Sequence, residues 1–216
     1  MRTSSGSNRR RPTARLRAMP DDDAPRPSFP PGGRVPLIAH GPVYLRPGER
    51  RDIPVFLRWM NDSRTTRTLL MNNPIGEAME ERWFDQMLEH HGRDRWYFVI
   101  CRMADDRPVG SIDLRDVDVR NGSATLGIVI GDPADTGHGY GSSAIRALVA
   151  FGFDQLRLER IQLEVFEYNA SARRVYERLG FVHEGTRRHA FYRDGAHHDD
   201  RVMAILREDW AAQARD

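Results

Sequence analysis

Leu126-Gly127-Ile128-Val129-Ile130-Gly131, followed after Asp132-Pro133-Ala134-Asp135-Thr136 by Gly137-His138-Gly139-Tyr140-Gly141-Ser142, is the stretch on which the fold turns. The first run is short, apolar and β-branched, and reads as a buried strand. The second is a glycine-rich turn ahead of a helix whose inward face carries Ile145, Leu148, Val149, Gly152 and Leu156. Glycines let successive backbone N–H groups converge on an anion, and a helix N-terminus adds partial positive charge. A phosphate or diphosphate is the expected guest. A nucleoside-triphosphate P-loop would need a Lys after its last Gly, and all 33 Lys-or-Arg positions of this chain are Arg. Gly139-Tyr140-Gly141-Ser142-Ser143-Ala144 fits the dinucleotide pattern, with Glu159 about 20 residues further on. The segment from Gly131 to Thr136 nevertheless separates the turn from its strand, where a dinucleotide fold joins them almost directly.

Upstream, Val43-Tyr44-Leu45 reads as a strand and is followed by two amphipathic helices, one with Val55, Phe56, Trp59 and Met60, the next with Trp83, Phe84, Met87 and Leu88. Trp96 to Met103, Pro108 to Val117 and Ser123 to Ile130 read as strands joined by short turns, hence an antiparallel meander. Downstream come a strand over Ile161 to Phe166 and a well-punctuated helix. Asn169 stands at its N-cap, Ala172, Val175, Tyr176 and Leu179 on one face, and Gly180 at its C-terminal end. Two last strands flank the hairpin signal Asp194-Gly195. The order β-α-α-β-β-β-α-β-α-β-β predicts a mixed α/β fold with a central, mostly antiparallel sheet flanked by helices.

Residues 1–36 are rich in Arg, Pro and Ser and cannot bury enough apolar surface to offset their ordering entropy, so they read as a disordered extension before one domain over 37–216. Net charge is only +2, and the acidic run Asp21-Asp22-Asp23 dilutes the basic start, so a nucleic-acid partner is not expected. The single cysteine, Cys101, excludes an intrachain disulfide and a cysteine-built zinc site, and points to a reducing, cytoplasmic setting. No apolar run approaches the ~20 residues of a membrane helix, so no membrane partner is expected. His197-His198-Asp199-Asp200 alternates between the faces of a strand and cannot converge on one ion, so no metal is expected.

The strand and glycine turn together resemble the acyl-CoA motif of the GNAT N-acetyltransferase superfamily, and Asn169-Ala170-Ser171-Ala172-Arg173-Arg174-Val175-Tyr176-Glu177-Arg178-Leu179-Gly180-Phe181 resembles its next motif. Phe56-Leu57-Arg58-Trp59-Met60-Asn61-Asp62 and Leu206-Arg207-Glu208-Asp209-Trp210 are similar to the branch of ribosomal-protein alanine acetyltransferases and spermidine acetyltransferases. The resemblance runs from about Val43 to Trp210, and departs from the family at Thr136, where Arg or Gln is usual, and at Thr125, where a Glu is common.

The resemblance implies a sheet splayed between the fourth and fifth strands and an acetyl-CoA co-substrate held by Ile128, Val129, Ile130, Thr136, Gly137, His138, Gly139, Tyr140, Gly141, Ser142, Asn169 and Ala172. Acetyl would pass directly to a primary amine, with Tyr176 as general acid toward the CoA sulfur. Asp113 and Glu164 are carboxylate candidates for accepting the amine proton. A small-molecule acceptor is the first expectation. The alternatives are a protein N-terminus, or a non-catalytic protein that binds CoA or nucleic acid. A homodimer is the default assembly.

Overall fold

The computed structural model describes residues 35–71 and 73–213. Most of the proposed extension over 1–36 lies outside them. Eight strands form one sheet: β1 (Ile38–His40), β2 (Val43–Pro47), β3 (Trp96–Arg102), β4 (Pro108–Asp118), β5 (Ser123–Ile130), β6 (Arg160–Phe166), β7 (Val182–Arg193) and β8 (Ala196–Leu206). Their spatial order is β1-β2-β3-β4-β5-β6-β8-β7, antiparallel throughout except for the parallel pair β5 and β6. That parallel pair needs a crossover, and α4 (Tyr140–Asp154) supplies it.

Both faces of the sheet are covered, which explains why β3 is buried at Tyr97, Phe98, Val99, Ile100 and Cys101 without a polar alternate. Phe98 and Ile100 join Ile112 and Leu114 of β4 and Leu126 of β5 against α4 and α5 (Ala170–Arg178). Tyr97, Val99 and Cys101 point the other way, into a smaller core with Ile53, Phe56 and Trp59 of α1 (Ile53–Met60) and Phe84 and Met87 of α3 (Glu77–His90). Each large apolar side chain buried this way contributes about 1.5–3 kcal/mol of transfer free energy. Burial pushes the Cys101 thiol pKa up, as befits an inert core residue.

The structure adds elements beyond those the periodicity predicts. β1 pairs with β2 around Gly41, and three residues are too few to show an alternation of their own. A short helix α2 (Ser63–Thr66) follows α1, and α6 (Arg207–Gln213) closes the chain. α4 starts at Tyr140 and is capped by Gly139, so it begins inside the glycine-rich stretch Gly137 to Ser142 that the sequence places ahead of the helix.

Candidate active site

β5 and β6 are hydrogen-bonded partners only over Ser123↔Arg160, Ala124↔Ile161 and Thr125↔Gln162. Beyond these, β6 leaves β5, pairing through Phe166 with β8 alone, and the edge of Leu126 to Ile130 facing away from β4 has no strand partner. The splay expected between these strands is therefore present. An unpaired strand edge inside a fold is a template for an extended guest, because its N–H and C=O groups must be satisfied by something.

The glycine turn lies at the C-terminal end of that edge. Gly137 and Gly139 have φ of +82° and +78°, a region that favours glycine, and no side chain or backbone atom comes nearer than 4.0 Å to where a Cβ would stand. Gly139 caps α4 without a side-chain hydrogen bond, so the first N–H groups of a 15-residue helix face outward unclaimed. Ser142 turns its hydroxyl to the Gly139 carbonyl at 2.9 Å, and the His138 ring stacks on Tyr140 with 5.6 Å between centroids. Thr136 donates its hydroxyl to the Pro133 carbonyl at 2.6 Å, which fixes the turn over Pro133–Asp135. That turn is also held by a two-pronged ion pair from Arg107 to the buried Asp135. These residues fit a diphosphate gripped by backbone amides and a helix terminus.

Gly131, between the edge and the turn, is required by close approach: an added Cβ would stand 2.0 Å from the Trp59 ring. The Thr65 hydroxyl donates to the Gly131 carbonyl at 2.7 Å, so α2 is tied to the end of β5. The Tyr168 hydroxyl, just past β6, donates to the Arg67 carbonyl at 2.7 Å, so the same segment is tied to the end of β6. Residues 65–67 thus form a strap across the mouth of the gap. Arg193, at the tip of the β7–β8 hairpin, donates to the carbonyls of Thr66, Arg67, Leu69 and Met71. A cavity of about 730 Å³ lies between strap and hairpin, bordered by Met60, Asn61, Arg64, Arg67, Met71 and Tyr192 among others. That is the size of a small-molecule site.

On α5, Asn169 caps the helix as expected, its side chain accepting from the Ala172 N–H at 3.2 Å. Tyr176 is buried against Phe181, ring to ring at 5.9 Å, and burial pushes its pKa up to about 12. Its hydroxyl makes no hydrogen bond with the described residues, which is unusual for a buried Tyr.

The two candidate carboxylates differ in surroundings. Asp113 is buried beside Gly127 and accepts from Arg95 Nε and Nη2 at 2.9 and 2.8 Å, with Arg115 at 3.5 Å. Burial pushes its pKa up against the pull of those two arginines. Glu164 stands on the part of β6 that has left β5, and pairs at 2.6 Å with Arg187, which also holds the buried Asp200. The structure sets the glycine turn at the end of the open β5 edge and leaves Asp113 in a paired, buried setting on β4.

Thr65, Arg67, Tyr168 and Arg193 were not legible in the sequence as site residues. Arg193 and Thr66 are 127 positions apart, and nothing local announces such a contact.

Comparison with known proteins agrees with this geometry. Residues 43–182 match the family model described as acetyltransferase (GNAT) domain. The Bacillus subtilis protein named "Putative ribosomal N-acetyltransferase YdaF" is 33% identical over 104 residues, 48% of this chain and 56% of that protein. The match thus spans little more than half of that relative. The spermidine N(1)-acetyltransferase of Escherichia coli K12 is 26% identical over 172 residues, 79% of this chain and 89% of the relative. Among solved structures, spermidine N-acetyltransferase from Vibrio cholerae in complex with CoA and spermine superposes with a TM-score of 0.73 at 25% identity, covering 78% of this chain and 98% of the other. With the family model spanning well over half of its length, this chain belongs to the GNAT acetyltransferase family.

Proposed function

We propose that the chain transfers an acetyl group from acetyl-CoA to a primary amine by direct attack, without a covalent enzyme intermediate. The observation that carries this reading is the gap between β5 and β6, opening beside an outward-facing glycine turn at the head of α4. The turn from Thr136 to Ser142 would hold the diphosphate through backbone N–H groups, since the Thr136 hydroxyl is committed to Pro133. Ile128, Val129 and Ile130 would present the open edge of β5 to the pantetheine arm, with a backbone N–H near Ile130 facing the thioester carbonyl. Asn169 and Ala172 would border the other wall at the start of α5.

In the transfer, the amine nitrogen bonds to the thioester carbon, the C–S bond breaks, and the sulfur leaves as a thiolate. Tyr176 would donate a hydrogen bond to that sulfur. A free thiol has a pKa of roughly 8.5, so complete proton transfer from a phenol near 12 costs on the order of 5 kcal/mol. Tyr176 therefore stabilises the developing negative charge, and the proton released by the amine balances the step. Glu164 is the better-placed carboxylate to accept that proton, directly or through a water, because it stands on the splayed part of β6 and is held by one arginine, Arg187, while Asp113 is buried between two.

The test offers acetyl-CoA with a panel of amines and follows free thiol, alongside calorimetry with CoA. Heat of CoA binding and amine-dependent thiol release are expected. No heat and no thermal protection at millimolar CoA would refute the proposal.

A further inference from the structure

The cavity between the strap and the β7–β8 hairpin is rimmed by more cationic than anionic groups. Among the described residues its border carries Arg64, Arg67 and Arg193 against the carboxylate of Asp194. Two of the three guanidinium groups are committed: Arg64 pairs with Asp62 at 2.6 Å, and Arg193 gathers the strap carbonyls. Arg67 differs. Its backbone carbonyl is engaged by Tyr168 and Arg193, but its exposed side chain has no ion pair or hydrogen bond among the described residues. Held by its own backbone at the mouth of the gap, it places a positive charge, paired with no described carboxylate, where an acceptor would enter.

We infer that the acceptor is an amine that also carries an anionic group, a phosphate or a carboxylate, recognised by the Arg67 guanidinium. The inference rests on the proposed acetyl transfer and names its substrate class. A polyamine, several times positively charged at neutral pH, meets the Arg67 and Arg193 guanidinium groups with Asp194 as the carboxylate not already spent on an arginine pair, as Asp62 is on Arg64, a mismatch that costs binding. An amine bearing phosphate or carboxylate instead gains a charge-assisted, two-pronged contact with Arg67, the geometry in which Arg outperforms other cations. The chain thus departs in acceptor charge from the spermidine acetyltransferases it is similar to.

The experiment uses matched acceptors with the full chain and acetyl-CoA: O-phosphoethanolamine against ethanolamine, β-alanine against its amide, and spermidine alone. The anionic member of at least one pair is expected to exceed its neutral counterpart by roughly tenfold in kcat/KM, about the worth of one hydrogen bond to a charged group. Which pair shows the larger ratio distinguishes phosphate from carboxylate. The advantage should shrink as salt rises. Arg67→Glu, a change at an exposed side chain, should abolish the advantage and raise the rate with spermidine, while the heat of CoA binding stays as in the parent. Spermidine equal to or better than the anionic amines, or ratios untouched by Arg67→Glu, would overturn the inference and leave acetyl transfer standing. Absence of CoA binding and of thiol release with every amine would instead remove acetyl transfer itself, and this inference with it.

Discussion

Replacing Tyr176 by Phe separates chemistry from packing more cleanly than any other single change in this chain. The Tyr176 ring fills its place against Phe181 and the α4 core, and Phe keeps that ring. The lost hydroxyl has no hydrogen-bond partner among the described residues, so its removal orphans no buried group. Stability at neutral pH should therefore change by less than about 1 kcal/mol. If the hydroxyl stabilises the departing thiolate, transfer should fall by roughly 100-fold, a loss of about 2.7 kcal/mol of transition-state stabilisation. The assay is amine-dependent thiol release at saturating acetyl-CoA, paired with a thermal melt and CoA calorimetry on the same preparation. A variant within twofold of the parent in turnover refutes the proposed role. A melt lowered by many degrees refutes the packing argument.

Burial of the same phenol has a consequence for alkaline stability. Its folded pKa lies above the ordinary 10.0, at about 12, so the stability it contributes is complete below pH 10 and is lost as pH rises from there toward 12. Up to about 2–3 kcal/mol is at stake, and urea melts at pH 9 and 11 should show a smaller drop for Tyr176→Phe than for the parent; equal drops would contradict it. Gly131→Ala should cost more than the about 1–3 kcal/mol of ordinary overpacking, because the new methyl falls inside the Trp59 ring. Gly137→Ala, with open space around it, should cost only about 1 kcal/mol in strain yet weaken CoA binding; denaturant unfolding and calorimetry tell the two apart. Arg187→Met leaves the buried Asp200 without its two-pronged partner and should lose about 2–3 kcal/mol, discounted because Arg187 is itself half exposed; a midpoint unchanged in urea would contradict this.

The sequence by itself determined the strands, the long helices and the glycine turn, because each rests on local rules. Period-two alternation marks β6, runs of aromatic and β-branched residues mark β3 and β5, the Asn169 cap and Gly180 bracket α5, and the backbone of Gly137 and Gly139 favours glycine. The same rules could not reach β1, which exists only because β2 offers it an edge, or the start of α4, where propensity gave way to the cap geometry at Gly139. Nor could they rank Asp113 and Glu164, two acidic residues on strands with nothing local to tell them apart; the partners that separate them, Arg95 and Arg115 for one and Arg187 for the other, come from the packing of distant strands. The strap over the gap is the clearest case. Thr65, Tyr168 and Arg193 meet through backbone carbonyls, which carry no residue identity, across separations of 66 to 127 positions, so only the folded chain could bring them together.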